Sequence, residues 1–157
     1  MGPTQGGGSN VTTGGGMAFY LSPQPPARVL GSYGLYLGLL NSSYAPPFVA
    51  IEFDTFRDTP SDPDNNHLGI DIGSTLSSLW AASLTPSNVT LNDFVSGSNT
   101  SVWIDYNGDT HELDVYLANQ GAVQAAKPAK PFLSRYPINL REHLPSSVFV
   151  GFSASTG

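Results

Sequence analysis

Short apolar stretches separated by turn-forming residues run along most of this chain. They are rich in β-branched and aromatic side chains, and no long stretch shows helical spacing with capping residues. With 17 glycines and 13 prolines available for turns, the pattern predicts an all-β domain, a sandwich or jelly roll. The predicted strands lie in MAFYL (17–21), YLGLL (36–40), FVAIEFDTF (48–56), HLGIDI (67–72), SVWIDY (101–106), ELDVYL (112–117) and SSVFVGFSA (146–154).

The start of the chain differs from the rest. Two GGG runs fall within the first 16 residues, which have no hydrophobic period. We therefore predict a flexible Gly-rich lead-in over residues 1–13 and one domain over residues 14–157, with no internal repeat.

Composition narrows the classes of function. The chain of 157 residues has only 11% charged residues and a net charge of −6, and its six Lys and Arg residues form no run. Nucleic-acid binding requires a basic surface, so that partner is excluded. The absence of cysteine excludes disulfides and thiolate metal sites.

Targeting signals are few. No apolar run reaches membrane-spanning length, and the start lacks the apolar stretch of a signal peptide. Some N-x-[ST] sequons arise by chance in a chain rich in Asn, Ser and Thr, but here they favour a secreted glycoprotein that derives from a longer precursor. The four sequons begin at Asn10, Asn41, Asn88 and Asn99.

One acidic stretch carries the candidate chemistry. The 22 residues from Ile51 to Ile72 hold six of the twelve acidic residues and one histidine, His67. In a strand over Val49–Phe56, alternation directs Val49, Ile51, Phe53 and Thr55 to one face, mostly the core. The opposite face then carries Ala50, Glu52, Asp54 and Phe56.

A hairpin would complete the cluster. HLGIDI places Leu68, Ile70 and Ile72 on the core face and His67 on the other, so pairing of the two strands returns His67 to Glu52 and Asp54. The intervening loop, Arg57–Asn66, is long for a hairpin turn, and long loops are more often functional. It brings Asp58, Asp62 and Asp64 to the same end.

Crowded carboxylates need a compensating cation. They raise one another's pKa, and oxygen ligands suit Ca²⁺ and Mn²⁺, while an imidazole favours a transition metal. One glutamate, two aspartates and His67 form a ligand set that suits a transition metal. Asp54, Asp58 and Asp62 with a backbone carbonyl form a calcium set, and four carboxylates balance two divalent ions. The alternatives are a solvated acidic loop and, less well matched, an EF-hand, since His67 replaces its glycine and Gly73 its closing glutamate.

The same residues carry a resemblance to a known family. VAIEFDTFRDTPSDPDNNHLGIDIGS (49–74) resembles the metal-binding signature of legume lectins and of the lectin domains of plant lectin receptor kinases. GGGMAFYLSP, LYLGLLN and PFLSRYPINLREHLPSSVFVGFSASTG are similar to further segments of that family, in the same order. The match extends from about Gly14 to Gly157. It implies a concanavalin-like jelly-roll β-sandwich, usually oligomeric, that binds sugars with calcium and manganese.

The resemblance also implies roles for individual residues. The manganese ligands would be Glu52, Asp54, Asp62 and His67. The calcium ligands would be Asp54, Asp62, the Phe56 carbonyl and the Asp58 side chain. The positions that contact sugar would be Gly15, Asp58, the Phe56 ring and a backbone amide near Gly34 or Leu35.

Three departures from the family pattern concern the sugar. The family usually has asparagine at position 58, whose amide donates to the sugar, whereas Asp58 cannot donate. It usually has aspartate, or histidine in some receptor kinases, where this chain has Gly15. The chain ends at Gly157, where a fourth sugar-contacting loop would begin, and the family's first and last strands are absent. We therefore expect a truncated form, or partner chains that cover the sheet edges.

Two rival functions share part of this pattern. Some glycoside hydrolases share the jelly-roll shape, but Phe56 and Arg57 stand where their second glutamate should follow Glu52 and Asp54. We therefore expect no enzyme. The other rival is a lectin-like interaction module of a receptor kinase that no longer binds simple sugars.

We predict a calcium- and manganese-dependent carbohydrate-binding domain of altered specificity. Its glycan or glycoprotein partners would be extracellular or vacuolar, and it would be a homo-oligomer or be completed by other chain segments.

Overall fold

The computed structural model describes residues 14–24, 32–76, 78–91, 99–120 and 125–156. Its larger sheet has five antiparallel strands, which are β1 (Gly16–Ser22), β2 (Val49–Asp54), β3 (His67–Ile72), β4 (Trp80–Ser83) and β8 (Phe149–Ser155). Their spatial order is β4-β3-β2-β1-β8. Strand β2 lies at the centre of this sheet, and all six of its residues are buried.

The smaller sheet covers one face of the larger one. Its three antiparallel strands are β5 (Asn99–Asn107), β6 (Glu112–Gln120) and β7 (Leu133–Pro137), in that order. Apolar side chains of both sheets form one buried cluster, as in a β-sandwich. The cluster includes Val49, Ile51, Phe53, Leu68, Ile70, Leu113, Val115, Leu117 and Leu133.

The opposite face of the larger sheet is also covered. A loop containing the 3₁₀ helix Gly34–Tyr36 packs there, and Leu37, Leu39 and Leu40 form a second cluster against the sheet. That cluster also holds Ala18, Tyr20, Phe48 and Ala50. The outer face of β2, which carries Glu52 and Asp54, is therefore buried rather than solvated.

The predicted strand over residues 36–40 is wrong. The chain there forms the end of the 3₁₀ helix and a turn, in which Leu37 has φ 49° and Gly38 has φ 76°. Positive φ values are incompatible with an extended strand. The apolar run indicated burial correctly, but a loop rather than a strand buries it.

The other six predicted strands are confirmed, with ends shifted by a few residues. Two strands were missed, β4 and β7. The first has only four residues, and β7 contains Arg135 with φ 51° beside a register shift in its pairing with β6. Neither carries a clear apolar alternation, which explains why the pattern did not reveal them.

The domain limits are only partly visible. The predicted lead-in over residues 1–13 lies outside the described residues, and the absence of the family's first and last strands stays a prediction. Within the described ranges, no helix is long and apolar enough to cross a membrane.

Candidate metal and carbohydrate site

The hairpin of β2 and β3 brings the predicted ligands together. Its register pairs Asp54 with His67 and Glu52 with Gly69, as the alternation of the two strands predicted. A Cβ atom on Gly69 would lie only 2.8 Å from Cδ of Glu52, so this glycine makes room for the buried carboxylate. Glu52, Asp54 and His67 are all almost completely inaccessible to solvent.

His67 is oriented with one ring nitrogen free. Its Nδ1 lies 2.7 Å from the carbonyl oxygen of Asp64, an arrangement that fixes Nδ1–H as the donor. Its Nε2 lies 3.6 Å from Oε1 of Glu52 and 4.0 Å from Oδ1 of Asp62, and no hydrogen-bond partner for it lies among the described residues. A histidine that donates from one ring nitrogen to a backbone carbonyl and leaves the other nitrogen free is typical of a metal ligand.

The loop after β2 is folded around its own acidic side chains. Oδ2 of Asp62 accepts hydrogen bonds from the backbone amides of Asp58, at 2.9 Å, and Thr59, at 2.7 Å. Oδ1 of Asp62 accepts one from the Thr59 hydroxyl at 2.8 Å, and Oδ1 of Asp54 accepts one from the Phe56 amide at 2.6 Å. These bonds hold Asp54 and Asp62 close to His67 by local turns.

Burial makes the uncompensated cluster electrostatically costly. Desolvation raises the pKa of Asp54 to about 7 and that of Asp71 to about 9, with the Glu52 charge contributing to both. Burial alone would lower the pKa of His67, but the neighbouring carboxylates of Glu52 and Asp54 raise it. At 3.6 Å the Glu52 contact is too long for a hydrogen bond, so we attribute its effect to charge. Without a cation the cluster retains protons.

The donor set fits divalent ions. Among the described residues, no group of three or more His, Asp or Glu side chains is arranged so that it could hold a metal ion. Asp62 directs both of its carboxylate oxygens to its own loop. Two buried atoms of the predicted ligands nevertheless lack a hydrogen-bond partner in the described part of the chain, Nε2 of His67 and Oδ2 of Asp58. One imidazole nitrogen with several buried carboxylates is the chemistry of a transition metal beside calcium.

The sequence predicts that Asp64 lies at the same end as the other acidic residues, and the structure shows a different role for its side chain. Its backbone carbonyl supports His67, as described above, but its carboxylate turns away from the cluster. Oδ2 of Asp64 accepts a hydrogen bond from Oγ of Ser83 at 2.5 Å, and Oδ1 accepts one from the Asn66 amide at 2.9 Å. Asp64 therefore stabilises the loop instead of adding a ligand.

Two further residues belong to the cluster and were not predicted. Oγ of Ser78 donates to Oε1 of Glu52 at 2.8 Å, and the fully buried Asp71 leaves both carboxylate oxygens without a hydrogen-bond partner in the described part of the chain. The strand alternation held a signal for Asp71, since it lies two residues beyond Gly69 on the Glu52 side. Nothing in the local pattern distinguished Ser78 from its neighbours.

The predicted sugar-contacting positions differ in their exposure to solvent. Gly15 is buried, Gly34 and Leu35 are half-buried, and the Phe56 ring is 48% exposed. Asp58 is half-buried, and burial and the Asp62 charge raise the pKa of its carboxyl group. The Thr55 amide donates to the Gly15 carbonyl at 3.2 Å, so the backbone of Gly15 borders the start of the loop after β2.

The fold agrees with a family comparison. The model of the legume lectin domain matches residues 4–157. The chain belongs to the legume lectin domain family. This confirms the predicted resemblance and the predicted jelly-roll sandwich.

Curated relatives fall into two groups of plant proteins. The chain is 42% identical over 150 residues to the probable L-type lectin-domain containing receptor kinase S.7 of Arabidopsis thaliana, covering 93% of this chain and 21% of the kinase. It is 36% identical over 144 residues to the basic agglutinin of Psophocarpus tetragonolobus, covering 90% of this chain and 51% of the agglutinin. This legume lectin domain therefore spans about a fifth of that kinase and half of that agglutinin.

Solved lectins have the same fold. The basic winged bean lectin with Tn-antigen aligns with a TM-score of 0.69 at 32% identity, covering 95% of this chain and 55% of the other. The Lotus tetragonolobus seed lectin aligns with a TM-score of 0.68 at 33% identity, covering 95% and 59%.

Proposed function

We propose that this legume lectin domain binds carbohydrate in a calcium- and manganese-dependent manner, with sugar contacts that differ from those usual in the family. The observation that carries the proposal is the buried Glu52, Asp54, Asp62 and His67 cluster, in which Nε2 of His67 has no hydrogen-bond partner among the described residues. Buried charges are otherwise paired or bound to metal.

Each ion would have its own ligands within one cluster. Glu52, Asp54, Asp62 and His67 would hold manganese. Asp54, Asp62, the Phe56 carbonyl and the Asp58 side chain would hold calcium. The bound cations would supply positive charge that lets the buried carboxylates ionise and that fixes the loop bearing Phe56 and Asp58.

The sugar would be held by few side chains. The half-exposed Phe56 ring offers an apolar face, and Asp58 offers acceptors only. Gly15 offers no side chain, so a backbone amide near Gly34 or Leu35 supplies the proposed donor. Each hydrogen bond to a ligand contributes about 0.5–1.5 kcal/mol, so the loss of two side-chain contacts predicts weak binding of monosaccharides.

A glycan array tests this function directly. The chain is loaded with calcium and manganese, applied to the array, and compared with the same protein in EDTA. Binding that EDTA abolishes supports the proposal. A folded, metal-loaded protein that binds no glycan contradicts it.

The second candidate is a lectin-like module that binds a protein partner without sugar specificity. The observation that favours it is the absence of a side chain at Gly15 together with the carboxylate at Asp58. Under this alternative the metal cluster would retain a structural role, and the array would stay negative with or without EDTA.

The setting of the domain follows the same proposal. We place it outside the plasma membrane or in the vacuole, as a glycoprotein, and we propose no enzymatic activity for this region. Among the sequons in the described residues, Asn88 and Asn99 are exposed and Asn41 is half-buried, and exposure suits glycosylation. We also propose assembly as a homo-oligomer or completion by other chain segments, with glycans or glycoproteins as partners.

A further inference from the structure

The loop that bears the proposed sugar-donating amide is fastened to the last strand of the large sheet. Oγ of Ser155, at the end of β8, donates a hydrogen bond of 2.6 Å to the carbonyl oxygen of Gly34. These residues are 121 positions apart in the sequence. The same carbonyl accepts the Leu37 amide at 3.1 Å, so Ser155 adds a tertiary contact to a local turn.

Glycines allow the loop to approach this closely. A Cβ atom on Gly15 would lie 2.6 Å from the Gly34 carbonyl oxygen and 2.9 Å from Oγ of Ser155. A Cβ atom on Gly38 would lie 2.9 Å from the carbonyl oxygen of Ala154. Any side chain at position 15 would therefore displace the loop, and the absence of a side chain there has a structural consequence beyond one lost sugar contact.

The hydrogen bond from Ser155 fixes the direction of a neighbouring donor. The Gly34 carbonyl and the Leu35 amide belong to one peptide group, and in a trans peptide they point in opposite directions. Holding the carbonyl against Ser155 therefore directs the Leu35 N–H away from β8. The buried Thr75 holds the next carbonyl, since its hydroxyl donates to Leu35 at 2.7 Å.

We infer that Ser155 is a positioning residue for the carbohydrate site, acting through the backbone of Gly34 and Leu35. This inference rests on the proposed function and deepens it. With glycine at position 15, the loop sits directly against β8, and a fixed backbone amide replaces a side chain as the polar contact to the glycan. The ligand would be a glycan that binds through hydrogen bonds from backbone amides and through contact with the Phe56 ring.

Three variants separate this role from a general structural one. Ser155→Ala removes the hydroxyl, and Ser155→Thr retains it. Ser153→Ala is the matched control, because it lies on the same strand and its Oγ has no hydrogen-bond partner in the described part of the chain. Amide hydrogen exchange at Leu37 and Gly38, metal content and glycan affinity are measured for each metal-loaded protein.

We expect Ser155→Ala to speed exchange at Leu37 and Gly38 and to weaken glycan binding, each about five- to tenfold, as for one lost hydrogen bond. Metal content should not change. Ser155→Thr should restore both values to within about twofold of the parent, and Ser153→Ala should leave both unchanged.

Unchanged exchange in Ser155→Ala would show that the loop does not depend on the hydroxyl, and would overturn the inference. Faster exchange with unchanged glycan affinity would also overturn it, because the loop would then be irrelevant to binding. If the metal-loaded parent chain binds no glycan, both the proposed function and the positioning role of Ser155 are contradicted. In that case the exchange data still decide separately whether Ser155 fastens the loop.

Discussion

The two halves of the candidate site are built differently. The metal half, from β2, β3 and the loop between them, consists of buried ionisable side chains that lie close together in the sequence. The sugar half, around Gly15 and Gly34, consists mainly of backbone that meets the distant Ser155. The first half depends on which side chains are present, and the second on which are absent.

The comparison separates two kinds of constraint. Side chains such as Glu52 and His67 are expensive to bury without a partner, so their presence points to a bound cation. A glycine such as Gly15 carries no chemistry of its own, and its importance appears only in the structure, where a Cβ atom would lie 2.6 Å from the Gly34 carbonyl oxygen. Under the proposed function, the sugar contacts can therefore be changed without loss of the metals, whereas removal of the metals should also abolish sugar binding.

Removing the metals should produce the largest effect. An ion present at about a thousand times its Kd stabilises the folded state by about 4 kcal/mol, which corresponds to roughly 10 °C in Tm for a domain of this size. We expect EDTA to lower Tm by about that amount in a thermal denaturation scan. An unchanged Tm would show that the metal half does not bind ions.

Glu52→Gln should stabilise the metal-free protein and destabilise the metal-loaded one. In EDTA it removes a buried charge that raises the pKa values of Asp54 and Asp71, so we expect a gain of about 1 kcal/mol in unfolding free energy. With manganese present the same variant should lose most of the metal-dependent stabilisation. Chemical denaturation in both conditions checks this, and Glu142→Gln on the surface is the control. Destabilisation in EDTA would mean that Glu52 is not an uncompensated charge.

Asp58→Asn should affect the sugar half alone. An amide oxygen still serves calcium, while the amide N–H can donate to a sugar, so we expect glycan affinity to rise about two- to tenfold. Asp64→Asn is the matched control, because that side chain turns to Ser83. A loss of calcium in Asp58→Asn, measured by metal analysis, would contradict the assignment.

Phe56→Ala should leave stability almost unchanged. The ring is 48% exposed, so we expect a change below about 0.5 kcal/mol in unfolding free energy. Glycan binding should fall, because the proposed apolar face is lost. A variant that binds glycans as well as the parent would exclude Phe56 from the sugar half.

The metal half was predictable from the sequence because its signals are local. Alternation along Val49–Phe56 and His67–Ile72 placed Glu52, Asp54 and His67 on one side of a hairpin, and the register confirms it. What alternation did not predict is that this side is buried. Ala50 packs against the loop at Leu37–Leu40, for which the sequence predicts a strand, and Ser78 contacts Glu52.

The sugar half was less predictable for physical reasons. The resemblance implies roles for positions 15, 34 and 35, but it does not show that Gly34 lies against Gly15 and accepts a hydrogen bond from Ser155, which is distant in the chain. Likewise, Ser78 reaches Glu52 from the connection before β4, and no periodic pattern marks it. Contacts made by loops and single hydroxyls depend on tertiary structure and leave little signal in sequence.

The most direct test of the account is the metal content of the folded chain. The protein is loaded with calcium and manganese and freed of unbound ions by desalting. Its metal content is then measured by elemental mass spectrometry, with His67→Ala as the comparison. We expect one manganese and one calcium ion per chain, and loss of manganese in His67→Ala. A folded parent protein that retains neither ion would contradict the account.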